Sequence, residues 1–157
     1  MKLTPMTESE FAEWAPRSRA SYATDKMRAN KLTQAEATAV AEADFNRLLS
    51  KGLATENNYL FTARDSDSNE ALGYIWFLVR GAEDNKTAFI CDVIIEEKHR
   101  RRGYGKQMLL LVEKEAVKYN ANRVGLHVFG FNEAAIALYR SLGYHVTDLS
   151  MEKSLKD

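Results

Sequence analysis

The chain has a single cysteine, two prolines, no net charge and no long apolar run. Each scarcity excludes something. Cys91 alone leaves no disulfide framework and no thiolate metal cluster, and points to a reducing compartment. Twenty-two basic and twenty-two acidic residues cancel, which argues against a general nucleic-acid binder, although a local basic patch survives that argument. The opening residues MKLTPMTESEF carry charge and polarity where a signal peptide needs an apolar core, and no window approaches a membrane span, so a cytoplasmic location is expected. His99, His127 and His145 are scattered, and no His/Cys/Asp set has metal-ligand spacing, so no metal is expected. There is no internal repeat, low-complexity tract or linker. A length of 157 residues with 45% hydrophobic content fits one domain over 1–157 with a real core.

What is present is concentrated in residues 88–117, AFICDVIIEEKHRRRGYGKQMLLLVEKEAV. An apolar run to Ile95 suits a strand buried on both faces. A charged segment follows, then Gly103 and Gly105, and a helical pattern starts at once. Strand, glycine-bearing turn and helix aim several backbone N–H groups and a helix dipole at one point, which suits an anion. Arg100, Arg101 and Arg102 stand beside it. A basic glycine turn squeezed between a buried strand and an amphipathic helix reads as a phosphate seat better than as a solvated surface turn. Walker A spacing is absent, and Gly103-x-Gly105 lacks the third glycine of a dinucleotide fingerprint.

The remaining elements follow from pattern. Residues 2–6 read as an edge strand. Thr7 with Glu10, and Thr33 with Glu36, have capping-box spacing and open two helices. Pro16 is expected to cut or bend the first, leaving 17–30 as a helix or an arm. Gly52 reads as the C′ residue of the second. Residues 58–64 and 72–79 flank a turn and predict an antiparallel hairpin, and 87–95 is the next strand. A helix from Gly105 to Tyr119 separates this strand from 123–129, so those two should run parallel. Asn132 is a good N-cap for the next helix, Gly143 closes it, and 144–155 should supply one or two closing strands. The expected fold is α+β, with a mixed sheet of six to seven strands, one central parallel splayed pair, and helices on both faces.

Arg100-Arg101-Arg102-Gly103-Tyr104-Gly105, followed by Asn132 and by Tyr139 in ALYRSLGY, resembles the two signatures of the GNAT superfamily, the Gcn5-related N-acetyltransferases. The order of elements resembles that family over nearly the whole chain. The resemblance implies that Arg100, Arg101, Arg102, Gly103, Tyr104, Gly105 and Lys106 hold the pyrophosphate of acetyl-CoA. It implies that Val93, Ile94 and Ile95 splay from the parallel neighbour and bind pantetheine, with a backbone N–H near Val93 facing the thioester carbonyl. Asn132 would position the cosubstrate. Glu97 stands where the family often has proline. The implied reaction is direct transfer of an acetyl group from acetyl-CoA to a primary amine of a small molecule or peptide, with no nucleic acid or membrane as partner and homodimerisation left open.

Tyr139 is the expected general acid. The departing thiol resembles a cysteine thiol, with a pKa about 8.5, and a phenol can deliver a proton to it. The competing reading is a core tyrosine packed with Ile136. His127 is the expected base, since an alkylamine is neutral in only about one molecule in 2,500 at pH 7. It is weighed equally against a satisfied core histidine. Asp92 interrupts an apolar strand and is either a second base or the holder of a structural partner such as an arginine. Trp14, Tyr22, Tyr59 and Trp76 would line a substrate wall or form plain core. Two other functions remain open. A non-catalytic acyl-CoA-binding or regulatory module would bind without turnover, and an RNA- or phosphopeptide-binding domain would use the same arginines.

Overall fold

In the computed structural model, which describes residues 1–156, sheet order follows chain order. Strands β1 (Lys2–Pro5), β2 (Asn58–Arg64), β3 (Ala71–Ala82), β4 (Asn85–Ile95) and β5 (Ala121–Leu126) lie side by side as β1-β2-β3-β4-β5. The first three pairings are antiparallel and β4–β5 is parallel. The parallel pair follows from the crossover through helix α3 (Tyr104–Lys118), as a tight turn cannot join parallel neighbours. The α+β class and the mixed sheet with its parallel pair are as the patterns predict.

The strand count is a correction. Residues 144–156 hold no helix or strand, where one or two closing strands were expected. Val146, Leu149, Met151 and Leu155 are exposed, so the alternating pattern there forms no ladder, and a strand without a partner has no hydrogen bonds to hold it. The strand expected over 123–129 also ends early, at Leu126.

Helix α1 (Glu8–Asn30) runs unbroken through Pro16, so there is no cut there, and of the two alternatives for 17–30 it is the helix that forms. Proline removes one backbone bond, but Trp14, Ala15, Ser18 and Ala23 are buried on either side of it, and that packing holds the helix together. Helix α2 (Gln34–Leu48) ends on Leu49. Gly52 is not its C′ residue; it opens a 3-10 turn (Gly52–Ala54) with φ +55°. Both helices begin with complete capping boxes, Thr7 with Glu10 and Thr33 with Glu36. Glu10 goes further and accepts from the Thr62 hydroxyl at 2.8 Å and from Arg64, tying the start of α1 to β2.

The core faces α1 and α2. Trp14, Phe45, Leu60, Tyr74 and Trp76 form one buried cluster, with Trp14 and Trp76 edge-on at 5.8 Å. On the other face Tyr59 stacks on Tyr119 at 3.8 Å beside Phe77. Trp14 and Trp76 are therefore plain core, and Tyr59 belongs to the opposite face. Gly73 is required by close approach, because a Cβ there would lie 2.1 Å from the Ile94 carbonyl oxygen. No helix among the described residues is long and apolar enough to cross a membrane.

The chain separates into two units, residues 1–127 and the remainder from Val128. The second contains α4 (Glu133–Ser141), capped by Asn132 and closed by Gly143 at φ +92°, whose N–H donates to Arg140 O at 3.0 Å.

Candidate active site

The parallel pairing of β4 and β5 is incomplete. It runs from Lys86↔Ala121 to Ile90↔Leu126 and stops. Residues 92–95 continue to pair with β3 on one side and have no β5 partner on the other. A bulge marks the transition. Trp76 opposes Asp92 and Phe77 opposes Ile90, so Cys91 is the extra residue, and a bulge re-aims the side chains around it. Cys91 and Ile94 then both reach the α1–α2 core.

The backbone groups of this stretch alternate between β3 and the free edge. Glu96 N–H donates to Leu72 O on the β3 side at 2.9 Å. In an antiparallel ladder, direction alternates by residue, so Ile94 and Asp92 also point toward β3. Val93 and Ile95 point the other way, to the unpaired edge. Arg100 supports this, since its Nε donates to Ile95 O at 3.0 Å. Val93, Ile94 and Ile95 are half-buried.

The loop beyond β4 contains a 3-10 turn (Glu97–His99) and then Arg100, Arg101 and Arg102, all exposed. Arg101 adopts φ +62° and Gly103 φ +78°. Gly103 is the N-cap of α3 and supplies no side-chain hydrogen bond, and α3 has no acidic residue in its first turn. The early N–H groups of any α-helix lack intrahelical acceptors. Here neither a capping side chain nor a carboxylate takes them. A Cβ at Gly103 would meet nothing within 4 Å, so the space before the helix is open. Lys106 is exposed and Tyr104 and Gly105 are partly buried. The result is a positive dipole end, free donors and cationic side chains around open space, a fit for a diphosphate.

Asp92 is held by two donors that the sequence did not reveal. Trp14 Nε1 donates to its Oδ2 at 3.1 Å, and the buried Ser18 hydroxyl donates to the same oxygen. No arginine takes the role expected of one. Loss of hydration pushes the carboxyl above its ordinary range despite the lowering effects of Ser18, Trp14 and the Val93 N–H. The findable signal was Ser18 four residues after Trp14, on the same helical face. Arg17 clasps Glu96 through two hydrogen bonds of 3.0 and 3.1 Å, fastening α1 to the end of β4. Tyr22 donates to Asp44 at 2.8 Å, and burial first, then that bond, raises its phenol to about 12. Cys91 is likewise pushed up to about 12, mainly by burial, which makes it an inert thiol.

His127 lies just past the end of β5 and is exposed; it is not inside a strand. In the second unit Asn132 Oδ1 accepts from Ala135 N–H at 3.3 Å, and Tyr139 on α4 is partly buried with its ring 5.8 Å from Tyr144.

A model of the acetyltransferase (GNAT) family matches residues 12–144. The chain belongs to that family. It is 30% identical to YycN of Bacillus subtilis, an uncharacterized N-acetyltransferase, over 98% of this chain and 97% of that protein. The crystal structure of YycN superposes with a TM-score of 0.92 at 29% identity, covering 99% of each chain. A shorter match, 40% identity over 58 residues, covers 37% of this chain and 25% of an Arabidopsis thaliana protein named L-ornithine N5-acetyltransferase NATA1. Acyl transfer is thus the chemistry of this GNAT chain's family and of its named relatives.

Proposed function

We propose that this GNAT protein is a single-domain cytoplasmic enzyme over 1–157 that moves an acetyl group directly from acetyl-CoA to a primary amine of a small molecule or peptide. The observation that carries the reading is the uncapped, acid-free start of α3 next to a β4 edge that β5 leaves unpaired. The first suits a diphosphate and the second an extended amide-bearing arm.

The roles divide as follows. Arg100, Arg101, Arg102 and Lys106 supply charge, and the N–H groups from Gly103 through Tyr104 and Gly105 supply donors to the phosphates. Val93 and Ile95, with Ile94 between them holding the strand to β3, present the free edge to pantetheine, and Asn132 orients the cosubstrate. The amine nitrogen attacks the thioester carbonyl carbon, the N–C bond forms, and the C–S bond breaks. A backbone N–H near Val93 faces the carbonyl oxygen as charge collects there. Tyr139 Oη gives its proton to the leaving sulfur, and His127 takes the proton that the nitrogen sheds.

Asp92 supports a second reading of the base. It faces the α1 side of β4, its carboxyl is raised, and Asp25 adds to the negative field around it. Such a wall suits an acceptor that arrives as an ammonium ion, and the short match to a protein named for ornithine acetylation points the same way. The test is calorimetric titration with acetyl-CoA, followed by an amine panel scored by release of CoA thiol. Saturable binding with turnover on at least one amine is expected. Absence of binding would overturn the reading, and binding without turnover on any amine would leave a non-catalytic acyl-CoA module.

A further inference from the structure

His99 is one of three buried polar residues among the described residues, 7% exposed, and nothing in the acetyl-transfer scheme uses it. It ends the short turn that connects β4 to the arginines. Its Nε2 lies 3.3 Å from Glu70 Oε1, in the turn between β2 and β3, and its Nδ1 is buried with no hydrogen-bond partner among the described residues. Its ring also meets Tyr104, the first residue of α3, edge-on at 6.3 Å. One imidazole therefore touches both ends of the loop, and Glu70 fixes it to a third segment.

The protonation state follows from the partners. The Lys98 ammonium also bonds Glu70, and it leads the causes that hold this carboxylate below its ordinary range. An ionised carboxylate only accepts, so the proton between Glu70 and the ring sits on Nε2. A second proton on Nδ1 would be a buried N–H with no acceptor, a rarer situation than an unsatisfied lone pair. The neutral Nε2–H tautomer is the one that this pocket accommodates.

The loop needs such an anchor. Arg101 is held in the left-handed region at φ +62°, a conformation that a residue with a Cβ keeps only when its surroundings impose it. The backbone on the β4 side is pinned by His99 N–H to Glu96 O at 2.8 Å and Arg100 N–H to Glu97 O at 3.2 Å.

We infer that His99 is a positioning residue for the acyl-CoA loop: as a neutral Nε2–H donor to Glu70, it sets affinity for the acyl donor and leaves the transfer step alone. The inference rests on the acetyl-CoA reading above. It predicts a pattern among four proteins, wild type, His99→Gln, His99→Asn and His99→Phe. Glutamine can place an N–H near Nε2, asparagine only near Nδ1, and phenylalanine keeps the shape without a donor.

Calorimetry with acetyl-CoA at neutral pH should show affinity close to wild type for His99→Gln. His99→Asn and His99→Phe should lose about tenfold, the size of one lost hydrogen bond. Turnover at saturating acetyl-CoA should stay near wild type in all three. If the phenylalanine variant fails to fold, as read by thermal melting, the glutamine and asparagine pair still decides. Ring-nitrogen NMR of the wild type should show Nδ1 unprotonated and Nε2 protonated. Equal affinities across the variants, an asparagine rescue as good as glutamine, or a protonated Nδ1 would overturn the inference. Wild type that binds no acetyl-CoA would defeat the acetyl-transfer reading itself, whereas intact wild-type affinity with equal variants defeats the role of His99 alone.

Discussion

Helices α2 and α3 are each fifteen residues long and begin in opposite ways. Helix α2 opens on Thr33, whose hydroxyl accepts from Glu36 N–H while Glu36 bonds back to Thr33 N–H. Helix α3 opens on a glycine that caps nothing, with no carboxylate in its first turn. The first end is satisfied by its own chain. The second leaves its first donors without a side-chain acceptor. A helix end without a cap is a cost to stability, and that cost falls at the end which the proposed function assigns to the phosphates.

The largest expected effect concerns chemistry that the α3 end would serve without performing. Tyr139→Phe should lower turnover by about a thousandfold, within the range for general-acid catalysis, with acetyl-CoA affinity retained. Unchanged turnover would remove the acid role from Tyr139.

Gly103→Asp tests the comparison directly by giving α3 the acidic cap that it lacks. Aspartate tolerates the left-handed backbone better than most residues, and the Cβ enters open space. Thermal stability should fall modestly, because φ +78° strains any side chain there, while acetyl-CoA affinity falls about a hundredfold through like-charge repulsion. Affinity equal to wild type would show that phosphates do not sit there. The mirror change, Thr33→Ala, should cost about 1 kcal/mol of unfolding free energy in denaturant titration and leave acetyl-CoA affinity alone. A drop in affinity would break the division between a structural end and a binding end.

The smallest effect is a pH slope. Asp92 has its carboxyl raised in the fold, first by desolvation. Above the ordinary carboxyl value of about 3.9 the unfolded chain has released this proton and the folded chain has kept it. Stability then falls as pH rises, until the folded site ionises too. Asp92→Asn keeps an acceptor for Ser18 and Trp14 but cannot ionise. Its melting temperature relative to wild type should climb from about pH 4 and then level off. A difference that is flat with pH would show that Asp92 is not perturbed.

Much of this was legible in the residues, because local rules wrote it. Capping boxes at Thr7 and Thr33, the hairpin of β2 and β3, the parallel crossover and the glycine turn at Gly103 all depend on near neighbours in sequence. The misreadings share one cause. Pro16 did not break α1, because burial of Ser18 and Ala23 against distant elements outweighs one lost hydrogen bond. The expected tail strands fail for want of a ladder, which no alternation of residues can supply. The partners of Asp92 and His99 lie 74 to 78 and 29 positions away, beyond the reach of local pattern.

By itself, then, the sequence determined the order of elements, the mixed sheet and the basic glycine turn, since hydrophobic period, caps and glycine placement act within a few residues. Only the tertiary structure decided where β5 stops pairing, which side of β4 Asp92 faces, and that His99 is buried on Glu70. Those outcomes depend on which surfaces meet, and a carboxylate or an imidazole takes its character from what is packed around it.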